Sequence, residues 1–82
     1  MLNIAISYKG NQDSKLESDL KSLVKSYSGE LINSFENNRP RDGFFTSAGR
    51  IDDNDQCDRL EKDLINLSRN RNIEIIIDKD YR

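Results

Sequence analysis

The last third of the chain constrains the fold most, because it holds the most apolar run of the sequence. The stretch Ile73–Asp78 alternates so that Ile73, Ile75 and Ile77 share one side of an extended strand. A helical pattern precedes this strand, and only a short turn separates the two. A strand this apolar has to be buried, so the rest of the chain is expected to cover it.

The helix before that strand carries both start and stop signals. The acidic stretch 52–55 supplies candidate caps, and Asp53 with Gln56 resembles a capping box. The basic stretch 69–72 suits a helix C-terminus. The predicted apolar stripe consists of Cys57, Leu60, Leu64 and Leu67, with Ile65 beside it.

The first third predicts a strand followed by a helix. Residues 2–8 alternate apolar and polar side chains, and Lys9–Asn11 reads as a turn. Ser14 and Glu17 match a capping box, with Asn11 or Asp13 as alternative caps. Ser28–Gly29 is expected to end the helix, with Gly29 in a left-handed conformation. The predicted stripe of this helix is Leu16, Leu20, Leu23, Val24 and Tyr27.

The middle of the chain predicts a hairpin. A weaker strand over Glu30–Glu36 leads into a turn over 37–43, where Pro40 cannot donate to a sheet ladder. Phe44–Ala48 is then expected to pair back as the third strand. Gly49 suggests a bulge or the end of that strand.

The order strand, helix, strand, strand, helix, strand predicts an α+β architecture of two layers. Each helix has one apolar stripe, so both helices are expected on one face of a four-stranded antiparallel sheet. Right-handed crossovers then give a ferredoxin-like βαββαβ plait, with the first and third strands central. Ile76 would point to the uncovered face, which suggests a homodimer or partner binding there.

Composition narrows the classes of function. The 82 residues predict one domain, 1–82, with 34% hydrophobic and 34% charged residues. The net charge of −2 disfavours general electrostatic binding of nucleic acid. The chain has no His and one Cys, so the commonest general base, a zinc cluster and an internal disulfide are all missing. No cofactor, no metal and no enzymatic activity are expected.

The sequence also predicts no membrane association. Met1 leads directly into a strand pattern, without the charged and apolar regions of a signal peptide. No apolar run approaches the roughly 20 residues that span a bilayer. A cytoplasmic location is therefore expected.

Several residues allow either a functional or a purely structural interpretation, and the structural interpretation is favoured in each case. Asp52, Asp53, Asp55 and Asp58 lack the glycine and the spacing of a calcium loop, and they suit a helix N-terminus. Cys57 lies in an apolar stripe and has no His to activate it. Lys9–Gly10 before a helix is more consistent with an ordinary turn than with an anion site.

The candidate binding residues lie around the hairpin. Arginine and aromatic side chains are typical of interface hot spots. The candidates are Arg39, Arg41, Phe44, Phe45 and Arg50. The competing interpretation is a solvated hairpin whose charges resist edge pairing.

These observations favour a small non-enzymatic protein that acts by protein–protein contact, such as a prokaryotic or phage inhibitor, immunity or regulatory factor. The alternatives are a nucleic-acid-binding module that uses the Arg-rich hairpin, which the charge disfavours, and a small-ligand sensor. An RNA-binding sheet would present stacking aromatics on its two central strands. The outward face of the first strand offers only Asn3, Ala5 and Ser7, and Phe44 or Phe45 could supply a single ring from the third strand.

Overall fold

The computed structural model describes residues 2–37 and 43–80. They form two helices and one antiparallel sheet in the order strand, helix, strand, strand, helix, strand, with the second strand in two pieces. The elements are β1 Leu2–Lys9, α1 Ser14–Ser26, β2 Gly29–Leu31, β3 Glu36–Asn37, β4 Phe44–Ile51, α2 Asn54–Arg71 and β5 Ile75–Asp80.

The sheet order is β2-β4-β1-β5, and β3 pairs with β4 beside β2. β1 pairs with β4 from Leu2↔Ile51 to Lys9↔Phe44, and with β5 from Asn3↔Asp80 to Tyr8↔Ile75. The first and third predicted strands are therefore central. This confirms the ferredoxin-like βαββαβ plait.

The core lies between the sheet and the two helices, because alternate residues of β1 and every third or fourth residue of each helix point into it. Both predicted helix stripes are confirmed, with Leu16 and Leu20 of α1 and Leu60 of α2 fully buried. The remaining buried apolar residues are Ile4, Ile6, Tyr8, Val24, Phe35, Ile51, Cys57 and Leu64.

The second predicted strand, Glu30–Glu36, is interrupted. After Leu31 the backbone N–H groups of Ile32 and Asn33 both donate to the Ala48 carbonyl, at 2.9 and 3.3 Å. The Ser47 hydroxyl donates to the Asn33 carbonyl at 2.5 Å. Because two consecutive N–H groups share one carbonyl, the register between this segment and β4 shifts. Pairing with β4 resumes only at Glu36.

The expectations for two glycines were wrong in detail. Ser28, with φ 61°, takes the left-handed conformation after α1, and Gly29 begins β2. A Cβ on Gly29 would lie 2.8 Å from the Arg50 carbonyl oxygen. β4 continues through Gly49 to Ile51, so Gly49 is neither a bulge nor a strand end. Both glycines instead permit close approach of β2 and β4.

The ends of the helices follow local chemistry. Asp13 caps α1 by accepting from the Leu16 N–H at 3.1 Å, so the correct alternative was Asp13 and not Ser14. Asp53 caps α2 by accepting from the Gln56 N–H at 2.9 Å, as predicted. α2 runs to Arg71 because the left-handed Asn72, φ 53°, ends it there. The last strand therefore begins two residues later than predicted, at Ile75.

Candidate protein-binding face

The sheet has a face that no described helix covers, here called the open face. Residues opposite one another in a ladder point to the same side of a sheet. Ile4, Ile6 and Tyr8 of β1 point to the helices, so their neighbours point the other way. The open face comprises Asn3, Ala5, Ser7, Lys9, Glu30, Glu36, Phe44, Thr46, Ala48, Arg50, Ile76 and Asp78.

Short side chains occupy the centre of the open face. Ala5 lies opposite Ala48, and Ser7 lies opposite Thr46. The Ser7 and Thr46 hydroxyl oxygens are 2.8 Å apart and hydrogen-bonded. That bond gives each hydroxyl one partner within the sheet, and the short side chains make the centre a shallow surface.

Two larger apolar side chains lie at one end of this centre. Ile76 is opposite Ser7, and Phe44 is opposite Lys9 at the start of β4. The Lys9 ammonium lies 6.0 Å from the centre of the Phe44 ring, at the outer limit of a cation–π contact. Phe44 and Ile76 are half-buried although no described helix packs on them.

Charged residues surround the centre. Glu30 lies directly opposite Arg50, Glu36 opposite Thr46, and Asp78 opposite Ala5. With Lys9, the open face carries three acidic and two basic residues among these positions. Apolar side chains inside a charged rim are the usual anatomy of a protein interface. These positions lack the cluster of basic residues that phosphate binding requires.

The structure separates the predicted binding residues. Phe44 and Arg50 share the open face but lie six positions apart on β4, roughly 20 Å in an extended strand. Phe45 points to the helix side, where its ring centre is 5.4 Å from that of the buried Tyr8. Arg39 and Arg41 lie outside the described residues. Phe45 thus contributes to the core, and Phe44 is the half-buried aromatic of the open face.

Sequence reasoning missed Thr46 and Ala48 as partners of the outward residues of β1. Their alternation with Phe45 and Ser47 was visible in the sequence, since β4 switches faces at every residue. Assigning Phe44 rather than Phe45 to the open face required the register between β1 and β4.

Apart from the open face, the structure has a concave region where β1 meets α1. It is an open groove of about 490 Å³, lined by residues 8–13 together with Leu16 and residues 72–74. The Tyr8 hydroxyl donates to Glu17 Oε2 at 2.5 Å and accepts from the Asp13 N–H at 3.1 Å. Asp13 also caps α1, so its carboxylate already has a partner. This groove therefore presents satisfied groups rather than an acid–base pair.

Removal of the Tyr8 hydroxyl is expected to change the alkaline stability of the protein. Burial, aided by the bond to Glu17, raises the pKa of Tyr8 from 10.0 to about 12. The unfolded chain loses this proton near pH 10 and the folded chain near pH 12, so the folded state binds more protons between them. Stability from this group is therefore complete below pH 10 and declines as pH rises from about 10 to 12.

Chemical unfolding of wild type and Tyr8→Phe, measured at about pH 9, 11 and 12, checks this prediction. At the lowest pH we expect Tyr8→Phe to be less stable by about 1–2 kcal/mol, because the Asp13 N–H loses its acceptor. The difference in unfolding free energy between the two proteins should shrink as the pH rises, because only wild type loses the contribution of the Tyr8 hydroxyl. Two parallel stability curves would contradict the assignment.

Other titratable groups are held in structural contacts. Burial raises the pKa of the Cys57 thiol, which lies in the core stripe of α2. Hydrogen bonds to Asp58 and Glu61, each 3.0 Å from the Lys79 ammonium, raise the pKa of Lys79. A bond to Asp63 raises the pKa of Tyr27. These contacts tie the helices to each other and to β5.

Within residues 2–37 and 43–80, no three His, Cys, Asp or Glu side chains converge as a metal site. Neither α1 nor α2 is long and apolar enough to cross a membrane.

Comparison with known proteins adds information about the fold alone. No family model matches the chain, and no curated protein matches it. Among solved structures, the chain is similar to the de novo designed protein Foldit4, with a TM-score of 0.64 and 20% sequence identity. The match covers 99% of this chain and 97% of the designed one. At this identity the likeness supports the plait and carries no function.

Proposed function

We propose that the chain is a small non-enzymatic protein that acts by contact with another protein, and that the open face is its contact surface. An inhibitor, immunity or regulatory factor of prokaryotic or phage origin fits this description. The observation that carries the proposal is the pair Phe44 and Ile76, which lie at one end of a shallow centre of small side chains on a face that no described helix covers.

The apolar and charged residues of the open face indicate what kind of protein surface would bind it. A flat apolar surface would cover Ala5, Ala48, Phe44 and Ile76, and apolar burial is worth about 25 cal/mol per Å². Basic side chains at the margin of that partner would complement the acidic residues of the rim. The acidic rim residues are Glu30, Glu36 and Asp78. A cytoplasmic location, where thiols stay reduced, suits the free Cys57.

Affinity capture from the native host with two arginine variants tests the proposal. Ala48→Arg places a long cation in the centre of the open face, where Ala48 is exposed. Ser22→Arg makes the same charge change on the exposed side of α1 and is the matched control. We expect one protein to bind wild type and Ser22→Arg, and to bind Ala48→Arg at least about tenfold more weakly.

Titration of the purified partner against the three chains then gives the affinities directly. Equal binding to Ala48→Arg and wild type would refute the open face as the contact surface. A captured species that nuclease removes, with binding that falls steeply with salt, would favour the nucleic-acid alternative instead.

A further inference from the structure

The two edges of the sheet differ. At one edge, β2 has three residues and β3 has two, with an irregular stretch between them. At the other edge, β5 is an unbroken strand of six residues, Ile75–Asp80. Among the described residues, β5 pairs with β1 on its inner side and with nothing on its outer side. A regular edge of this kind is a template for another strand.

The backbone groups that point outward from β5 follow from one hydrogen bond. The Lys9 N–H donates to the Glu74 carbonyl at 3.0 Å, just before the ladder of β1 and β5. Residues in an antiparallel ladder alternate between pairs that exchange hydrogen bonds and pairs that do not. Ile76 and Asp78 therefore bond to β1. The N–H and C=O groups of Ile75, Ile77 and Lys79 point away from the sheet.

One side of α2 lies above this edge. The Lys79 ammonium contacts Asp58 and Glu61, and the Ser68 hydroxyl donates to the Ile73 carbonyl at 2.5 Å. Ile65 is four residues after Glu61 and three before Ser68, so it lies on the same side of the helix. Its side chain is 48% exposed. A large apolar side chain is thus placed beside an unpaired strand edge.

We propose that the chain forms a two-fold symmetric dimer in which β5 pairs antiparallel with β5 of a second copy, centred on Ile77. The two sheets then join into one continuous sheet, and the two copies of α2 lie side by side above the junction. The interface is isologous, so each contact away from the two-fold axis occurs twice.

The register follows from the outward backbone groups. A centre at Ile77 sets Ile77 opposite itself and Ile75 opposite Lys79 of the second copy, which satisfies all six outward groups. A centre at Ile76 would pair Ile75 with Ile77 but would set Glu74 opposite Asp78 of the second copy, and both are acidic. A centre at Lys79 would oppose two lysines. Like charges in direct opposition destabilise a ladder.

The charges of α2 suit the same symmetry. Asp58 and Glu61 lie in the first half of α2, and its last turn carries Arg69. The two-fold axis sets the two helices antiparallel. When Ile65 meets Ile65 of the second copy, Glu61 faces Arg69 of that copy. The same arrangement therefore brings the two Ile65 side chains together and places Glu61 next to Arg69 of the second copy.

This dimer leaves the open face uncovered, so it neither requires nor replaces the proposed partner. Sedimentation equilibrium from about 1 µM to about 1 mM tests it, because weak specific interfaces fall in this range. We expect wild type to reach twice the mass of one chain. Ile65→Lys should weaken dimerisation at least about tenfold, since the residue occurs twice in the interface.

Ile32→Lys is the matched control, because Ile32 is 56% exposed and follows β2 at the far edge of the sheet. We expect it to dimerise as wild type does. A monomer at every concentration would overturn the proposal, as would equal dimerisation of Ile65→Lys and wild type. Loss of the dimer in Ala48→Arg but not in Ile65→Lys would place it on the open face and also overturn the proposal.

A mixing experiment tests the symmetry. Arg69→Glu opposes glutamates across the junction, and Glu61→Arg opposes arginines, so each variant alone should dimerise weakly. An equimolar mixture restores both opposite-charge contacts and should dimerise better than either variant. Thermal unfolding of each variant checks that it folds. A folded mixture no stronger than its components would contradict the antiparallel arrangement of α2.

Discussion

Replacement of Gly49 with valine is expected to destabilise the protein by about 3 kcal/mol, at the upper end of the usual cost of an oversized buried residue. A Cβ at this position would lie 2.1 Å from the Glu30 carbonyl oxygen and 2.8 Å from the Leu31 Cα. Both are backbone atoms of β2, so no side-chain rotation relieves the clash. The β2 strand would have to leave β4, and its hydrogen bonds would be lost with it.

Urea unfolding monitored by circular dichroism measures this effect, with Ala48→Val as the control. Ala48 precedes Gly49 on the same strand but lies exposed on the open face. We expect Ala48→Val to change the unfolding free energy by less than about 0.5 kcal/mol. Comparable stabilities for the two variants would show that β2 does not approach β4 this closely.

Truncation of Leu60 to alanine should cost about 2–5 kcal/mol, because the side chain is fully buried between α2 and the sheet. A domain of 82 residues has a total stability of roughly 4–12 kcal/mol, at 0.05–0.15 kcal/mol per residue. The variant is therefore expected to be partly unfolded at elevated temperature. Ile32→Ala removes an equally apolar but exposed side chain, and it should unfold close to wild type. A small effect at Leu60 would contradict the core assignment.

The helices and the faces of the strands could be predicted because they depend on local sequence. A stripe such as Leu16, Leu20 and Val24 has the same meaning in any fold that covers one side of a helix. Asp53 and Gln56 form their cap within four residues. The order of elements then left few two-layer arrangements, and the plait followed from connection rules.

The second strand could not be predicted in detail, because its geometry depends on residues distant in sequence. Gly29 and Gly49 look like turn or bulge signals, yet each is small because β2 and β4 approach closely. Ser28, and not Gly29, takes the left-handed conformation after α1. Only the pairing of β2 with β4 distinguishes these roles.

The candidate site was predicted in part. The outward alternation of Ala5 and Ser7 and the position of Ile76 on the open face follow from the sequence. The choice between Phe44 and Phe45 does not, because a shift of one residue in register exchanges their faces. The position of Ile65 above β5 depends on contacts between α2 and β5, such as Lys79 with Glu61.

The irregular edge formed by β2 and β3 limits how copies of this chain could add to one another. A protein with two regular edges can continue strand upon strand into a filament. Here the Ile32–Phe35 interruption removes a ready template on one flank, while β5 keeps one on the other. Pairing through β5 would occupy the regular sheet edge of both copies, so assembly would stop at the dimer.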